Sequence, residues 1–407
     1  MAAKDLERLF AFLPTFEHQK GIRLFDDLAK DPANAAPILQ ELLLVVSNHD
    51  DPQLHTPHGL LTLEAGRDLL RLTRPPGGLG LLRFLVLYNF SLQKRALTPA
   101  AVDAAARAIP AAPSADMERA YRKVVHDHMG SKAGALLARI GLEDGIEASA
   151  HLAIRASLDE LGRLGHNLAM AVAYSEAAST LGLPRGLVPL ANLGYVQAVG
   201  LQGVRPIDIP ILSGAGAGKP DIELLGRLLE DWEFDRVEEI LQALAFEGQA
   251  ETAYRPLLIA ASAEPGFLGH TLSEVHAARL ASRYLTPSEN AWLLWKLYRT
   301  LTTKFGYPDF LRLGRPELND RASPLAALES SLRYKSPPAE ETVRHALEAE
   351  VPLDDILAAI VDFYGQWTVG EKEHTISYLN AVLQTAKFLG KEEALLPLAI
   401  GLSKLPF

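Results

Sequence analysis

The stretch GHTLSEVHAARLASRYL, residues 269–285, has the apolar spacing of an amphipathic helix that begins with a histidine. Three other stretches repeat this plan: GHNLAMAVAYSEAASTL at 165–181, PHGLLTLEAGRDLLRL at 57–72 and EHTISYLNAVLQTAKFL at 373–389. In each copy a histidine falls in the first helical turn, an aliphatic residue follows two positions later, and an alanine follows seven positions later. One helix-start motif therefore occurs four times along the chain.

The motif histidines recur at a nearly constant period. They are His58, His166, His270 and His374, with separations of 108, 104 and 104 residues. Because only 12 of the 407 residues are histidine, three further matches at fixed positions would arise by chance roughly three times in 10⁵. The spacing predicts four tandem multi-helix repeats of about 104 residues, packed into one compact or ring-like all-α domain. We place the repeats at residues 1–112, 113–215, 216–321 and 322–407.

Breaker-rich segments precede the later three motifs by about 50 residues. They are IPAAPSAD at 109–116, SGAGAGKPD at 213–221 and NDRASPL at 319–325. Each predicts a connection between repeats followed by a helix start. The glycine-rich segment does not match a phosphate-binding loop, because Ser213 stands where that motif needs glycine and Pro220 where it needs serine or threonine. We expect a flexible linker there.

The composition restricts the class of protein. The chain has no cysteine, which excludes disulfides, thiolate metal sites and a catalytic thiol. Its formal charge is −10 and neither sign forms long blocks, so we expect no nucleic-acid partner. No uninterrupted run of 18 apolar residues is present, and the first ten residues are charged and helix-like, unlike a signal peptide. We therefore expect a cytoplasmic protein without a membrane partner, and the oligomeric state stays open.

The four histidines suggest a shared metal site. On a helix, positions three, four and seven after a residue share its face, so each motif histidine stands above an alanine. If the repeats close into a ring or a bundle, the four imidazoles meet at one centre, and imidazoles without thiolate suit iron, copper, nickel or zinc. Helix N-termini carry partial positive charge, which disfavours a cation. Glu274, four residues after His270, is the candidate that offsets this charge.

Three repeats also carry a tyrosine 28 to 30 residues after the histidine. These are Tyr88, Tyr195 and Tyr298. They are candidates to line a substrate pocket or to donate hydrogen bonds in it, and core packing is the competing and more usual role. Two further histidines, His126 and His128, have side chains that diverge on a helix, so we expect both on the solvated surface.

A structural interpretation competes with the metal site. A histidine in a first turn also satisfies free backbone groups, and a repeated sequence keeps such details without any catalysis. In an open solenoid the four histidines would be spread along a surface. The chain would then be a non-enzymatic helical-repeat binding or scaffold protein that purifies without metal. A zinc-dependent hydrolase is a third alternative.

The ordered series of histidine-led helices resembles the questin oxidase-like family. The matching stretches are LHTPHGLLTLEA at 54–65, LGHNLAMAVAYSEA at 164–177, GHTLSEVHAARL at 269–280 and EHTISYLNAV at 373–382. The resemblance implies a non-haem metal, with iron (Fe²⁺) first and another transition metal as the alternative, held by the four motif histidines. It also implies an oxidoreductase that uses O₂ for Baeyer–Villiger-type insertion or oxidative ring cleavage in a small hydrophobic aromatic, polyketide-like substrate, with NADPH as a further cofactor. Gly162 and Arg163 stand where the family has an additional His-Pro pair.

Overall fold

A computed structural model gives the fold of the chain. It describes residues 3–12, 18–50, 58–73, 78–90, 92, 94–201, 203–209, 220–231, 233–300, 323–367 and 372–405. Within these residues the secondary structure is helical, with 21 α-helices and no strand, and an isolated antiparallel bridge pairs His49 with Lys94. The all-α prediction is confirmed.

The chain divides into two compact units. Unit 1 contains Met1–Arg67 and Leu79–Asp208, and unit 2 contains Asp68–Gly78 and Ile209–Phe407. The helices of unit 1 are α1 (Ala3–Phe12), α2 (His18–Leu28), α3 (Ala35–Val46), α4 (His58–Leu70, as far as Arg67), α5 (Leu79–Phe90), α6 (Pro99–Arg107), α7 (Ser114–His126), α8 (Gly130–Glu143), α9 (Ile146–Ser157), α10 (His166–Leu181) and α11 (Leu187–Gly200). The helices of unit 2 are α12 (Ile222–Asp231), α13 (Phe234–Phe246), α14 (Ala250–Ala263), α15 (His270–Ala281), α16 (Pro287–Thr300), α17 (Pro324–Tyr334), α18 (Ala339–Glu348), α19 (Leu353–Trp367), α20 (Lys372–Leu389) and α21 (Leu395–Lys404).

The centre of unit 1 is formed by α10 and α11. Both helices bury residues around their whole circumference, as expected for helices that are apolar on every side. Helix α8 packs closely on α11 because Gly134 and Gly194 leave no side chain between the backbones. A Cβ on Gly194 would lie 2.7 Å from the carbonyl of Ala133. Since α10 packs on both α9 and α11, the helix that begins with His166 is held from two sides.

The core of unit 2 contains α14, α15, α20 and α21, which pack on one another. Two buried tyrosine hydroxyls tie the helices together by donating to backbone carbonyls. Tyr254 on α14 donates to Ala278 on α15 at 3.0 Å, and Tyr298 on α16 donates to Ala253 on α14 at 3.4 Å. These contacts fix α15 in the core and leave its first residue next to α20.

The division into units bears on the predicted repeats. It falls at residues 208/209, close to the predicted boundary at 215/216. That boundary, the predicted one at 321/322 and most of the predicted linker at 213–220 lie outside the described residues. The four-repeat division stays a prediction.

The helix starts expected after the breaker segments are present. Helices begin at Ser114, Ile222 and Pro324, each within or directly after one of these segments. At Pro324 the N-cap is Ser323, whose side chain accepts a hydrogen bond from the backbone N–H of Ala326. In the described ranges, no helix combines the length and the apolar content needed to cross a bilayer.

Candidate functional site

All four motif histidines lie at helix starts. His58, His166 and His270 are the first residues of α4, α10 and α15, and His374 is the third residue of α20. The first-turn prediction is confirmed for each motif. An imidazole at this position lies at the N-terminal end of its helix. The first backbone N–H groups of a helix have no hydrogen-bond partner within the helix.

Helices α10 and α15 begin with the same tight turn. The sequences GRLGH at 162–166 and GFLGH at 266–270 each form a short 3₁₀ turn before the helix. In both turns a leucine has a left-handed backbone, with φ of 61° at Leu164 and 49° at Leu268. This conformation costs a leucine on the order of 1–3 kcal/mol, so the surrounding contacts must hold the turn in place. The same turn conformation therefore sets the direction in which α10 and α15 each continue from their turn.

In unit 1 the structure brings His58 and His166 together. Their ring centroids are 5.2 Å apart and the ring planes meet at 82°. One nitrogen of each ring lies within 4.8 Å of a nitrogen of the other. Both side chains are half-buried, so the pair is enclosed by protein and still accessible to a small ion.

In unit 2 the structure brings His270 and His374 together, with ring centroids 5.0 Å apart and planes at 56°. The Nδ1 atom of His270 lies 2.6 Å from the carbonyl oxygen of Phe267. Because a carbonyl only accepts hydrogen bonds, Nδ1 carries the proton and Nε2 carries the lone pair of the neutral ring. Metal-binding histidines commonly donate their other ring N–H to a backbone carbonyl in this way.

The charge state of His270 is also suited to a ligand. Burial lowers the pKa of His270, the hydrogen bond to Phe267 works in the opposite direction, and the neighbouring His374 lowers the pKa further. The ring is therefore neutral at neutral pH. A neutral imidazole with a fixed lone pair is the form that binds a metal.

The spacing within each pair fits two ligands of one ion. A metal lies about 2.0–2.1 Å from a bound imidazole nitrogen and thus about 3.2 Å from the ring centroid, so a tetrahedral angle separates two centroids by about 5 Å. The observed separations are 5.2 Å in unit 1 and 5.0 Å in unit 2. Each unit supplies two imidazoles with suitable spacing and no thiolate. That all four serve one ion goes beyond this pairing and stays a prediction.

A buried hydrogen-bond network holds the start of α4. The backbone N–H of Gly59 donates to Nδ1 of His49 at 3.0 Å. Nδ2 of Asn192 donates to the carbonyl of His49 and to the hydroxyl of Tyr174, both at 2.9 Å, and Arg95 donates to the side-chain oxygen of Asn192 at 3.0 Å. The residue after the first motif histidine is thereby tied to α11 and α10.

Sequence reasoning missed this network. One signal was present, since Asn192 is an amide inside the otherwise mostly apolar stretch LVPLANLGYV, residues 187–196, and a buried amide needs hydrogen-bond partners. His49 gave no such signal, because it lies outside the repeated motif. Periodicity identifies repeated positions, and a supporting residue that occurs once has no period.

The predicted charge partner, Glu274, lies on α15 one turn after His270 and is half-buried. This is the same-face position that the helical spacing predicts. Its role as a charge partner of a bound metal stays a prediction.

The three predicted tyrosines have different surroundings. Tyr88 on α5 stacks on Phe84, with ring centroids 5.7 Å apart. Tyr195 on α11 lies beneath the guanidinium of Arg95, 3.8 Å from its ring centroid. Tyr298 is fully buried, and this burial raises the pKa of its hydroxyl well above the usual value. The surroundings of Tyr298 are those of a core residue, and the catalytic roles of all three stay predictions.

The surface prediction is wrong for His126. Its side chain is 8% exposed, and its Nε2 lies 3.0 Å from the fully buried carboxylate of Asp159. Asp159 also pairs with Arg155 at 3.2 Å and accepts the backbone N–H of Ile207 at 2.8 Å. The spacing along α7 could not show that a buried carboxylate beyond the end of α9 faces this histidine. His128 is exposed, as predicted.

His276 is a further buried histidine on α15, six residues after His270. Among the described residues, neither of its ring nitrogens has a hydrogen-bond partner. Burial, together with the charge of nearby Arg279, lowers the pKa of His276 to about 3. The ring is therefore neutral in the folded protein at neutral pH and packs as a core side chain.

Comparisons with known proteins add no relative. No protein-family model matches the chain, and neither a curated protein nor a solved structure is significantly similar to it. The resemblance to the questin oxidase-like family therefore stays a prediction from the motifs.

Proposed function

We propose that the chain is a metal-dependent oxygenase in which His58, His166, His270 and His374 are the metal ligands. Iron(II) is the proposed metal, O₂ is the co-substrate, and the organic substrate is a small hydrophobic aromatic, polyketide-like molecule. For oxygen insertion, NADPH is the proposed source of the two electrons that reduce the second oxygen atom of O₂ to water. The reaction class is Baeyer–Villiger-type oxygen insertion or oxidative ring cleavage. The metal ligands are argued from the chain itself, and the reaction class and substrate follow from the family resemblance.

One observation supports the metal site above all others. In each unit, the two histidines that the repeat singled out lie as a pair with centroids about 5 Å apart. A repeat that preserved histidine only to cap helices would not require the rings to approach each other. The spacing instead suits two nitrogens of one coordination sphere.

Two groups next to the proposed ligands, the carbonyl of Phe267 and the carboxylate of Glu274, also have roles in this proposal. The carbonyl of Phe267 holds the proton on Nδ1 of His270, which directs Nε2 toward a ligand. Glu274 offsets the positive charge that a cation and helix N-termini place together. When bound, iron(II) supplies the activation of O₂.

Elemental analysis of purified protein tests the proposal. We expect iron or another transition metal in near-stoichiometric amount, and a strong loss of that metal in His166→Ala and in His270→Ala. His128→Ala is the matched control, because His128 is exposed and outside the motif. The number of ions per chain shows whether the two pairs serve one ion or two.

Oxygen consumption separates the remaining outcomes. Iron-loaded protein should consume O₂ when a suitable aromatic substrate and NADPH are present. Protein that contains zinc and consumes no O₂ would point to a hydrolase. Protein that purifies without metal, takes up none on addition, and folds unchanged as His166→Ala would contradict the proposal and indicate a non-enzymatic helical-repeat binding protein.

A further inference from the structure

The residue after a motif histidine has a backbone N–H that its own helix cannot pair, because it lies in the first turn. In α10 this N–H belongs to Asn167 and donates to the carbonyl of Leu161 at 3.0 Å. In α15 it belongs to Thr271 and donates to the carbonyl of Pro265, also at 3.0 Å. The main chain that leads into the tight turn therefore supplies the acceptor at both of these helix starts.

Helix α4 pairs the equivalent N–H in a different way. The sequence before it, LHTPH at residues 54–58, lacks the glycines of the tight turn. The N–H of Gly59 donates instead to Nδ1 of the His49 side chain, at 3.0 Å. Because an N–H only donates, Nδ1 carries the lone pair of this imidazole and the ring proton is on Nε2. The start of α4 thus depends on one side chain, where α10 and α15 depend on the main chain.

The acceptor residue, His49, is held firmly in unit 1 and is only 4% exposed. Its backbone N–H donates to the carbonyl of Val46, the last residue of α3, at 2.8 Å. Its carbonyl accepts a hydrogen bond from Nδ2 of Asn192 on α11 at 2.9 Å, and an isolated bridge pairs it with Lys94. The position of this imidazole is therefore set by two helices and a backbone bridge.

Gly59 allows the first turn of α4 to approach this imidazole. A Cβ on Gly59 would lie 2.8 Å from Nδ1 of His49 and 2.6 Å from the side chain of Leu92, which is too close for either contact. The residues that follow the other three motif histidines are Asn167, Thr271 and Thr375. Glycine therefore occurs at this position only in the motif whose N–H is paired by His49.

We propose that His49 is a positioning residue for His58. By accepting the N–H of Gly59, its imidazole fixes the first turn of α4 and so holds the ring of His58 beside that of His166, with centroids 5.2 Å apart. Without the acceptor a buried N–H is left unpaired, and this cost favours a shifted first turn. The inference rests on the proposed function for its effect on a metal, because His58 is a proposed ligand.

Two substitutions of His49 separate its hydrogen bond from its packing. His49→Asn is smaller than histidine and keeps an acceptor, because Oδ1 of asparagine stands close to the position of Nδ1. His49→Leu keeps most of the volume and has no acceptor. The readout is the nuclear Overhauser effect between the ring protons of His58 and His166 in metal-free, histidine-labelled protein. We expect this signal in the unmodified protein and in His49→Asn, and its loss in His49→Leu.

Anaerobic titration with iron(II) measures the consequence for the proposed metal site. His49→Leu should lower the iron affinity at least about 10-fold, and His49→Asn should retain most of it. His128→Asn is the control, because it changes an exposed histidine of unit 1 and should alter neither readout. Thermal unfolding confirms that each variant is folded. If His49→Leu does not fold, His49→Gln replaces it, since its side-chain acceptor lies one atom further from the backbone.

Retention of the Overhauser effect in the folded variant without the acceptor, or its loss in His49→Asn, would overturn the proposal, because volume and not the hydrogen bond would then matter. Its absence in the unmodified protein would overturn the proposal as well. Loss of iron affinity in His49→Leu with an unchanged Overhauser effect would show that His49 acts without positioning His58. Protein that binds no iron and still shows the expected Overhauser pattern would support the positioning and contradict only the proposed function.

Discussion

Units 1 and 2 contain the same turn before a histidine-led helix, and they surround it differently. In unit 1 the next residue, Asn167, donates its side-chain amide to the carbonyl of Glu160 at 3.1 Å, which closes the turn. In unit 2 Thr271 has that position, and the Phe267 ring lies parallel to the imidazole of His270, with centroids 6.2 Å apart. The comparison shows that the shared backbone turn sets the position of each histidine at the start of its helix, while the neighbouring side chains determine the contacts of its imidazole.

The largest expected effect tests whether the two pairs are equivalent. Replacing the partner histidine of each pair, as His58→Ala in unit 1 and His374→Ala in unit 2, removes one imidazole from each. Because a metal held by both pairs needs all four nitrogens, we expect either change to abolish most metal binding. Elemental analysis measures this, with protein refolded in excess iron as a second preparation. Retention of full metal content by one variant would show that only one of the pairs is a metal site.

The second prediction tests how tightly unit 2 packs around its turn. Gly269 has φ of 78°, and an added Cβ would collide with Tyr378. Gly269→Ala should lower the free energy of unfolding by about 2–5 kcal/mol, from left-handed strain and overpacking together. Gly248→Ala is the control, because Gly248 follows the end of α13 with φ of 72° and has open space around it, so only about 1–2 kcal/mol of strain applies.

Denaturant unfolding measures both glycine changes, and a double-variant cycle isolates the collision. In a Tyr378→Ala background, Gly269→Ala should cost about as much as Gly248→Ala does. An unchanged cost in that background would mean that the backbone angle alone accounts for the loss.

The third prediction compares equivalent positions on α10 and α15. Six residues after the motif histidine, α10 carries Val172 and α15 carries His276, and both are buried. The folded pKa of His276 is about 3 and its unperturbed value is 6.5. Between these values the unfolded chain binds a proton that the folded protein excludes, so stability falls by up to about 1.4 kcal/mol per pH unit as the pH decreases from 6.5.

His276→Val should therefore remove this part of the acid sensitivity and leave stability at pH 8 nearly unchanged. The measurement is the free energy of unfolding between pH 4 and 8. His128→Asn is the exposed control, because asparagine tolerates the left-handed backbone at this position, where φ is 61°. A His276→Val profile that keeps the original slope would show that other groups cause the acid sensitivity.

The smallest expected effect concerns the ring of Phe267, which is 71% exposed and stacked on His270. Its backbone carbonyl, which holds the imidazole proton, is kept in Phe267→Ala. We expect a loss of only about 0.5 kcal/mol, the low end for a ring contact, and unchanged metal content. A strong loss of metal would mean that the ring, and not the carbonyl, orients His270.

Much of the helical architecture could be predicted from the sequence. Repetition marked the four histidines, and the structure places each of them in the first turn of a helix. Repetition also marked alanines seven residues later, and all four are buried. Because a helix has a period of 3.6 residues, the spacing of residues in the sequence shows directly which of them share a face. These features could therefore be predicted from the sequence.

Other features depend on packing that no spacing reveals. The left-handed backbone of Leu164 and Leu268 contradicts the local preference of leucine and persists only because neighbours enforce it. The burial of His126 depends on Asp159, which lies 33 residues further along the chain. The pairing of the motif histidines within each unit also depends on tertiary contacts. The sequence could therefore predict that the histidines meet only on the condition that the repeats close into a ring or a bundle.

The proton on Nδ1 of His270 is held by a carbonyl three residues earlier in the chain. The orientation of this ring is therefore set within one short segment as unit 2 folds. A group already fixed in its bound orientation loses little rotational freedom when a ligand arrives. Metal capture at His270 should accordingly proceed as association with a rigid receptor, with a small change in heat capacity, unlike the large change seen when a protein folds around its ion.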